Sequence, residues 1–202
     1  MHRFLLLLTL AAILSGCQSS TSKKHEDKKS NDVIEYRLDK TKITEALSFA
    51  ASNNYNQEVA FLLDIGIRSG RKRFFVVDLN SKKQLFSGLV THGHCQDYSS
   101  TKPQFSNESG SNCTSLGKYR IGVKYSGQFG TAYKLHGLEK TNSNAFERFV
   151  VLHAHDCVPD YESAIGICRS EGCPTVSPLF LKRLEPIIDK SERSILLWIF
   201  NS

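Results

Sequence analysis

Three stretches decide the fold class: Ala60-Phe-Leu-Leu-Asp-Ile-Gly-Ile67, Arg73-Phe-Phe-Val-Val-Asp-Leu79 and Gln84-Leu-Phe-Ser-Gly-Leu-Val90. Each is an apolar run rich in Phe, Val, Leu and Ile, too short for a helix and bounded by polar or glycine breaks, which is the signature of a strand. Asn80-Ser81-Lys82-Lys83 joins the second run to the third as a polar hairpin turn. Working outward, the pattern returns over residues 119–125, 132–138, 148–155 and 195–200. Two segments carry the other periodicity. Ile43, Ala46, Leu47 and Ala50 fall at helical spacing and predict a helix over 42–53. Ser177 as N-cap, Pro178 at the first position and apolar residues at 179, 180, 184, 187 and 188 predict another over 177–189, its end shortened or bent by Pro186. The expected fold is α+β and mostly β: a small barrel or sandwich of about seven strands with two peripheral helices. No internal repeat is visible.

The chain has 202 residues, 40% hydrophobic and 23% charged, which excludes disorder, collagen and coiled coil for its bulk and favours one domain. Its formal net charge of +6 is scattered, so no nucleic-acid partner is expected. The amino terminus reads separately. After His2 and Arg3, residues 4–14 are apolar except Thr9. As a helix that run rises about 16 Å, half of a bilayer core of about 30 Å, so it reads as the apolar region of a secretory signal peptide. It ends at Leu14-Ser15-Gly16-Cys17, which resembles the lipobox of bacterial lipoproteins; the plainer alternative is an ordinary signal peptide with a chance cysteine. The resemblance implies cleavage after Gly16, acylation of Cys17 and a membrane anchor of two or three chains. Gln18 leans toward the outer membrane of a bacterial envelope, facing the periplasm. Residues 18–32 contain no apolar side chain that would order them and read as a solvated tether. The expected plan is a signal peptide over 1–16, a lipidated tether over 17–40 and a folded domain over 41–202.

Six cysteines are present: Cys17, Cys95, Cys113, Cys157, Cys168 and Cys173. An exported protein lives where disulfides persist. With Cys17 lipidated an odd five remain; the pairs near in sequence are Cys95 with Cys113 and Cys157 with Cys168, leaving Cys173 over. His92, His94, His153 and His155 lie near these cysteines, but no pair has zinc-site spacing, so neither metal nor cofactor is expected.

Residues 148–177 carry the chemistry. The predicted strand ending at His153 is followed by Arg169-Ser170-Glu171-Gly172-Cys173-Pro174. A nucleophilic cysteine needs a base within reach and donors for an oxyanion. Gly172 permits a tight bend before Cys173, Pro174 fixes the chain after it, and the N–H groups of Gly172 and Cys173 are candidate oxyanion donors. The same Gly-Cys-Pro also suits a turn bearing a buried or disulfide-bonded cysteine. Residues 92–117 lack periodicity, and a loop that long is usually functional or disordered. His92 and His94, flanking Gly93, either line a pocket or cap a strand. His136 is expected to face solvent, and Tyr133 and Trp198 to pack.

Ser170-x-Gly172-Cys173 preceded by His153 resembles the Ser-His-Gly-Cys signature of murein L,D-transpeptidases, and the chain is similar to their catalytic-domain family from about Phe61 onward. Residues 74–79, Thr91-His92-Gly93, Phe105-Ser106-Asn107, Ser115-Leu116-Gly117-Lys118-Tyr119, Leu135-His136-Gly137-Leu138-Glu139, Asn144-Ala145 and Val150-Val151-Leu152-His153 carry the likeness in order. The resemblance implies an L,D-transpeptidase-like fold, Cys173 as nucleophile, His153 as base with the Ala154 carbonyl orienting it, and Ser170 and Gly172 as signature residues holding the loop. The substrate it implies is a peptidoglycan stem peptide. Two positions depart from the pattern. Glu171 stands where the signature has His, and Thr175 where Arg or Asn is usual, which bears on how substrate is oriented. Arg169 is a candidate replacement cation for a substrate carboxylate, with His92 and Glu171 as further candidate substrate contacts. His155 competes with His153 as the base. The implied activity is L,D-transpeptidation through a Cys173 thioester, the acceptor being a second stem or a lipoprotein side chain. The same Cys and His also serve an L,D-carboxypeptidase or endopeptidase. A non-catalytic murein-binding lipoprotein with Cys173 in a disulfide is the third reading.

Overall fold

The computed structural model describes residues 38–98, 100 and 102–202. The expected signal peptide, Cys17 and the expected tether up to residue 37 lie outside the described residues. Helix α1 (Lys40–Ser52) opens on Asp39, whose carboxylate accepts from the Thr41 N–H at 2.8 Å as an N-cap. Its buried residues Ile43, Ala46 and Ala50 fall on one stripe, and the two alanines let it lie close to the sheet. The strands follow as β1 (Val59–Asp64), β2 (Phe74–Asp78), β3 (Lys83–Gly88), β4 (Gly117–Gly127), β5 (Gly130–Gly137), β6 (Val151–Ala154) and β7 (Thr175–Val176). Helix α2 (Pro178–Asp189) and β8 (Leu196–Phe200) complete the chain.

All eight strands form one mixed sheet in the order β3-β2-β1-β8-β4-β5-β6-β7. The last strand is central: β8 runs parallel to β1 and antiparallel to β4, and its residues Leu-Leu-Trp-Ile-Phe are buried on both faces. One face, with Leu62, Phe75, Val77, Leu196 and Trp198, packs against α1. The other, with Phe61, Phe74, Tyr119, Leu135, Leu152 and Leu197, packs against Phe180, Leu181 and Leu184 of α2. Each fully buried Leu or Phe contributes about 1.5–3 kcal/mol, so both helices are held by apolar packing. Ser177 caps α2 by accepting from the Phe180 N–H at 3.1 Å.

The strand count and closure differ from expectation. The two-residue β7 is too short to leave a sequence pattern, so the sheet has eight strands. The sheet is not closed into a barrel, nor is it two stacked sheets. The gap between its ends is spanned by the segment after β3: Thr91 N–H bonds to Thr175 O at 2.9 Å, His94 N–H to Ser170 O and Ser170 N–H to His92 O, both at 3.0 Å. The strand expected over 148–155 is only Val151–Ala154, because Phe149 takes a left-handed φ of 58° and breaks the extended chain. Helix α2 continues past Pro186 to Asp189. The described residues between β3 and β4 are irregular, with His92, His94, Thr114 and Ser115 buried.

Candidate active site

Strands β6 and β7 run parallel with His153 opposite Thr175, and this register builds the site. Cys173 lies two residues before Thr175, outside the ladder, and the Val151 N–H points at its Sγ at 3.4 Å. Cys173 is the free cysteine among the described residues, since Cys95 pairs with Cys113 and Cys157 with Cys168. The thiol donates toward Phe149 O at 3.8 Å. Burial pushes its pKa up, and the Glu171 carboxylate adds to this; the Val151 N–H, Arg148 and Lys134 oppose it. The resting group is therefore a protonated thiol.

His153 is buried, with Nδ1 3.1 Å from Ala154 O and Nε2 3.0 Å from Thr175 Oγ1. A carbonyl only accepts, so Nδ1 carries the proton and Nε2 is the basic nitrogen, receiving the Thr175 hydroxyl. Phe129, at the tip of the β4–β5 hairpin, stacks on the imidazole at 5.1 Å. Burial lowers the His153 pKa, as does His155, against the Ala154 carbonyl, so the ring is a neutral base at pH 7. Among the described residues no hydrogen bond joins Cys173 to His153; catalytic contacts of this kind often tighten only when substrate binds. His155 is exposed, and its Nδ1 accepts from the Cys157 N–H at 3.0 Å, which holds a turn.

Ser170 shapes the loop. Its hydroxyl donates to Cys173 O at 2.6 Å and accepts from the Gly172 N–H at 3.2 Å. That use of the Gly172 N–H removes it from the expected pair of oxyanion donors and leaves the Cys173 N–H. Gly172 adopts φ 113°, and a Cβ there would lie 2.7 Å from Cys113 O, so glycine is required. Arg169 does not face the thiol: its guanidinium donates to Asp97 O at 2.7 Å and to Ser100 O. It lines a separate cavity of about 430 Å3 with Arg68, Arg73, Lys102 and His92. Nδ1 of His92 lies 2.9 Å from Arg73, and burial with the nearby guanidinium groups of Arg73 and Arg169 drives its pKa to about 4. Glu171 is exposed and bonded to His94 Nε2 at 2.9 Å.

Three contributors escape sequence reading. Arg148 donates to Ser106 O (2.9 Å), Ser115 Oγ (2.8 Å), Ser111 Oγ (3.3 Å) and Cys113 O (2.7 Å), tying the irregular segment beneath the Cys173 loop. Thr175 reads as a departure from a pattern, not as a partner of the base. His94 reads as lining a pocket or capping a strand, not as a partner of Glu171; the Gly93–Ser170 bridge brings the two together. His136, expected to face solvent, is half-buried and stacks on Phe146 at 4.6 Å. Tyr133 and Trp198 are buried, as expected.

Among solved structures, an L,D-transpeptidase from Mycobacterium smegmatis is similar at 16% identity and a TM-score of 0.42, over 71% of this chain and 58% of that one. The helical cell shape determining protein Pgp2 from Campylobacter jejuni is similar at 11% identity and a TM-score of 0.46, over 81% of this chain and 57% of that one. The chain thus spans less than three-fifths of the length of either protein. No curated protein sequence is a significant match. The family model described as the L,D-transpeptidase catalytic domain matches residues 21–200, nearly the whole chain. On that match the chain belongs to the L,D-transpeptidase catalytic domain family.

Proposed function

We propose that the protein is a peptidoglycan L,D-transpeptidase that works through a Cys173 thioester on stem tetrapeptides. The observation that carries the reading is a free cysteine on a glycine-bent loop, packed against the strand that bears a neutral, oriented histidine. The Thr175 hydroxyl swings off His153 Nε2 and frees its lone pair, and the Cys173 thiol turns from Phe149 O and gives its proton to that nitrogen. Sulfur attacks the carbonyl of the third, diamino-acid residue, and the oxyanion develops against the Cys173 N–H. The C–N bond to the terminal D-alanine breaks, His153 returns the proton to the leaving amine, and a thioester remains. An amine of a second stem or of a lipoprotein then resolves it. Water in place of the amine makes the same site a carboxypeptidase. A disulfide-blocked, non-catalytic Cys173 is not the arrangement of this structure. We also propose attachment to the bacterial envelope through lipid on Cys17, supported by Leu14-Ser15-Gly16-Cys17; labelled fatty acid entering a Cys17→Ala chain would refute it.

The test is mass analysis of products after full-length protein is incubated with disaccharide tetrapeptide. Cys173→Ala should remove all turnover. His153→Ala should lower the rate about a hundredfold or more, the usual worth of a positioned acid or base, and His155→Ala far less. Activity in Cys173→Ala refutes the thioester; a dead His155→Ala beside an active His153→Ala refutes the choice of base.

A further inference from the structure

Glu171 stands two residues before the nucleophile with its side chain 68% exposed, yet one of its oxygens is fixed. Oε2 accepts from His94 Nε2 at 2.9 Å. The imidazole is itself committed: the Gln96 N–H donates to Nδ1 at 2.9 Å, so Nδ1 is bare and the ring's single proton lies on Nε2. His94 is buried, its own N–H bonds to Ser170 O at 3.0 Å, and Tyr98 stacks on the ring at 4.1 Å. The mount is rigid and neutral, so it leaves the carboxylate's charge uncompensated. No Lys or Arg pairs with Glu171 among the described residues, and its field reaches Cys173 Sγ, where it disfavours the thiolate.

A fixed anion two residues from the nucleophile, its field felt at the sulfur, hinders the first half-reaction, which needs a thiolate. It suits the second, whose amine arrives at neutral pH as an ammonium and must lose a proton before it attacks. We infer that Glu171, mounted on His94, docks the primary ammonium of the acceptor and takes its proton; this rests on the transpeptidase reading above. The ammonium donates to the free Oε1, and one proton passes to the carboxylate. The nitrogen lone pair attacks the thioester carbonyl and a C–N bond forms. The C–S bond breaks, sulfur leaves with the electron pair and takes the second nitrogen proton, and Glu171 releases its proton to solvent.

The experiment uses the full chain in detergent, disaccharide tetrapeptide as donor, and two acceptors assayed separately. Nα-acetyl-lysine carries a primary ammonium, whereas hydroxylamine is a free base at pH 7. Mass analysis gives the ratio of transfer product to hydrolysis product. Glu171→Gln should lower that ratio about a hundredfold with acetyl-lysine and leave it in place with hydroxylamine. His94→Gln, which unseats the carboxylate, should lower the acetyl-lysine ratio by less. An unchanged acetyl-lysine ratio in Glu171→Gln, or an equal fall with both acceptors, overturns the inference. Intact mass separates its failure from that of the reading beneath it: a wild-type Cys173 adduct with an unchanged ratio overturns only the role of Glu171, and no adduct overturns both.

Discussion

Thr175 is the residue whose meaning changes most between sequence and structure. In the sequence it is a departure from a family pattern; in the fold its hydroxyl meets His153 Nε2 at 3.0 Å. With the Ala154 carbonyl on Nδ1, the imidazole is held at both nitrogens. Removing the hydroxyl leaves one anchor and a buried nitrogen without a donor, and a buried unpaired acceptor costs about 1–3 kcal/mol. Thr175→Val should therefore lower kcat about tenfold with little change in KM, because Thr175 acts through the base and not on substrate. Thr175→Ser should restore most of the loss. Steady-state kinetics of the two variants check this, and a Val variant with unchanged kcat removes Thr175 from the account. The loop-holding role of the Ser170 hydroxyl was legible in the sequence because it is local: the hydroxyl's two hydrogen bonds stay within three residues. Arg148 was not, because its acceptors lie 33 to 42 positions away.

Elements with their own periodicity were read well. Both helices and the seven longer strands came from apolar spacing and caps that need no partner. The misreadings share one cause, a backbone set by distant neighbours. Two residues make no pattern, so β7 exists only because β6 offers it a ladder and Thr91 bonds to its first residue. The strand at 148–155 reads as long because apolar residues cannot announce the left-handed turn at Phe149. The loop holding Cys173 is fitted in the same way to the Cys95–Cys113 segment, where Gly172 passes beneath Cys113 O. Gly172→Ala meets both a φ of 113° and a contact of 2.7 Å. Strain of that kind costs about 1–3 kcal/mol, so the variant should unfold at lower urea and lose most Cys173-dependent activity. A variant with wild-type midpoint and turnover would show that the loop has room.

At the scale of the molecule, buried histidines link stability to pH. His92 has a folded pKa of about 4 against 6.5 for the free side chain, because burial and the Arg73 and Arg169 guanidinium groups disfavour its charge. Its contribution is complete above pH 6.5 and is lost as pH falls toward 4, since the unfolded chain binds the proton first. The loss is about 3 kcal/mol. His153 and His136 shift in the same direction. Urea midpoints between pH 7.5 and 4.5 should fall, and His92→Gln should flatten the slope; an unchanged slope refutes the assignment. Fold class, the order of most elements and the cysteine pairs were determined by the sequence, because apolar period, caps and short-range spacing are local properties of the chain. The gap-spanning segment after β3, the Arg148 tie, the Thr175 contact and the His94 mount for Glu171 were decided only by the tertiary structure. Each joins residues 22 to 84 positions apart, which only the folded sheet and its connecting segments bring together.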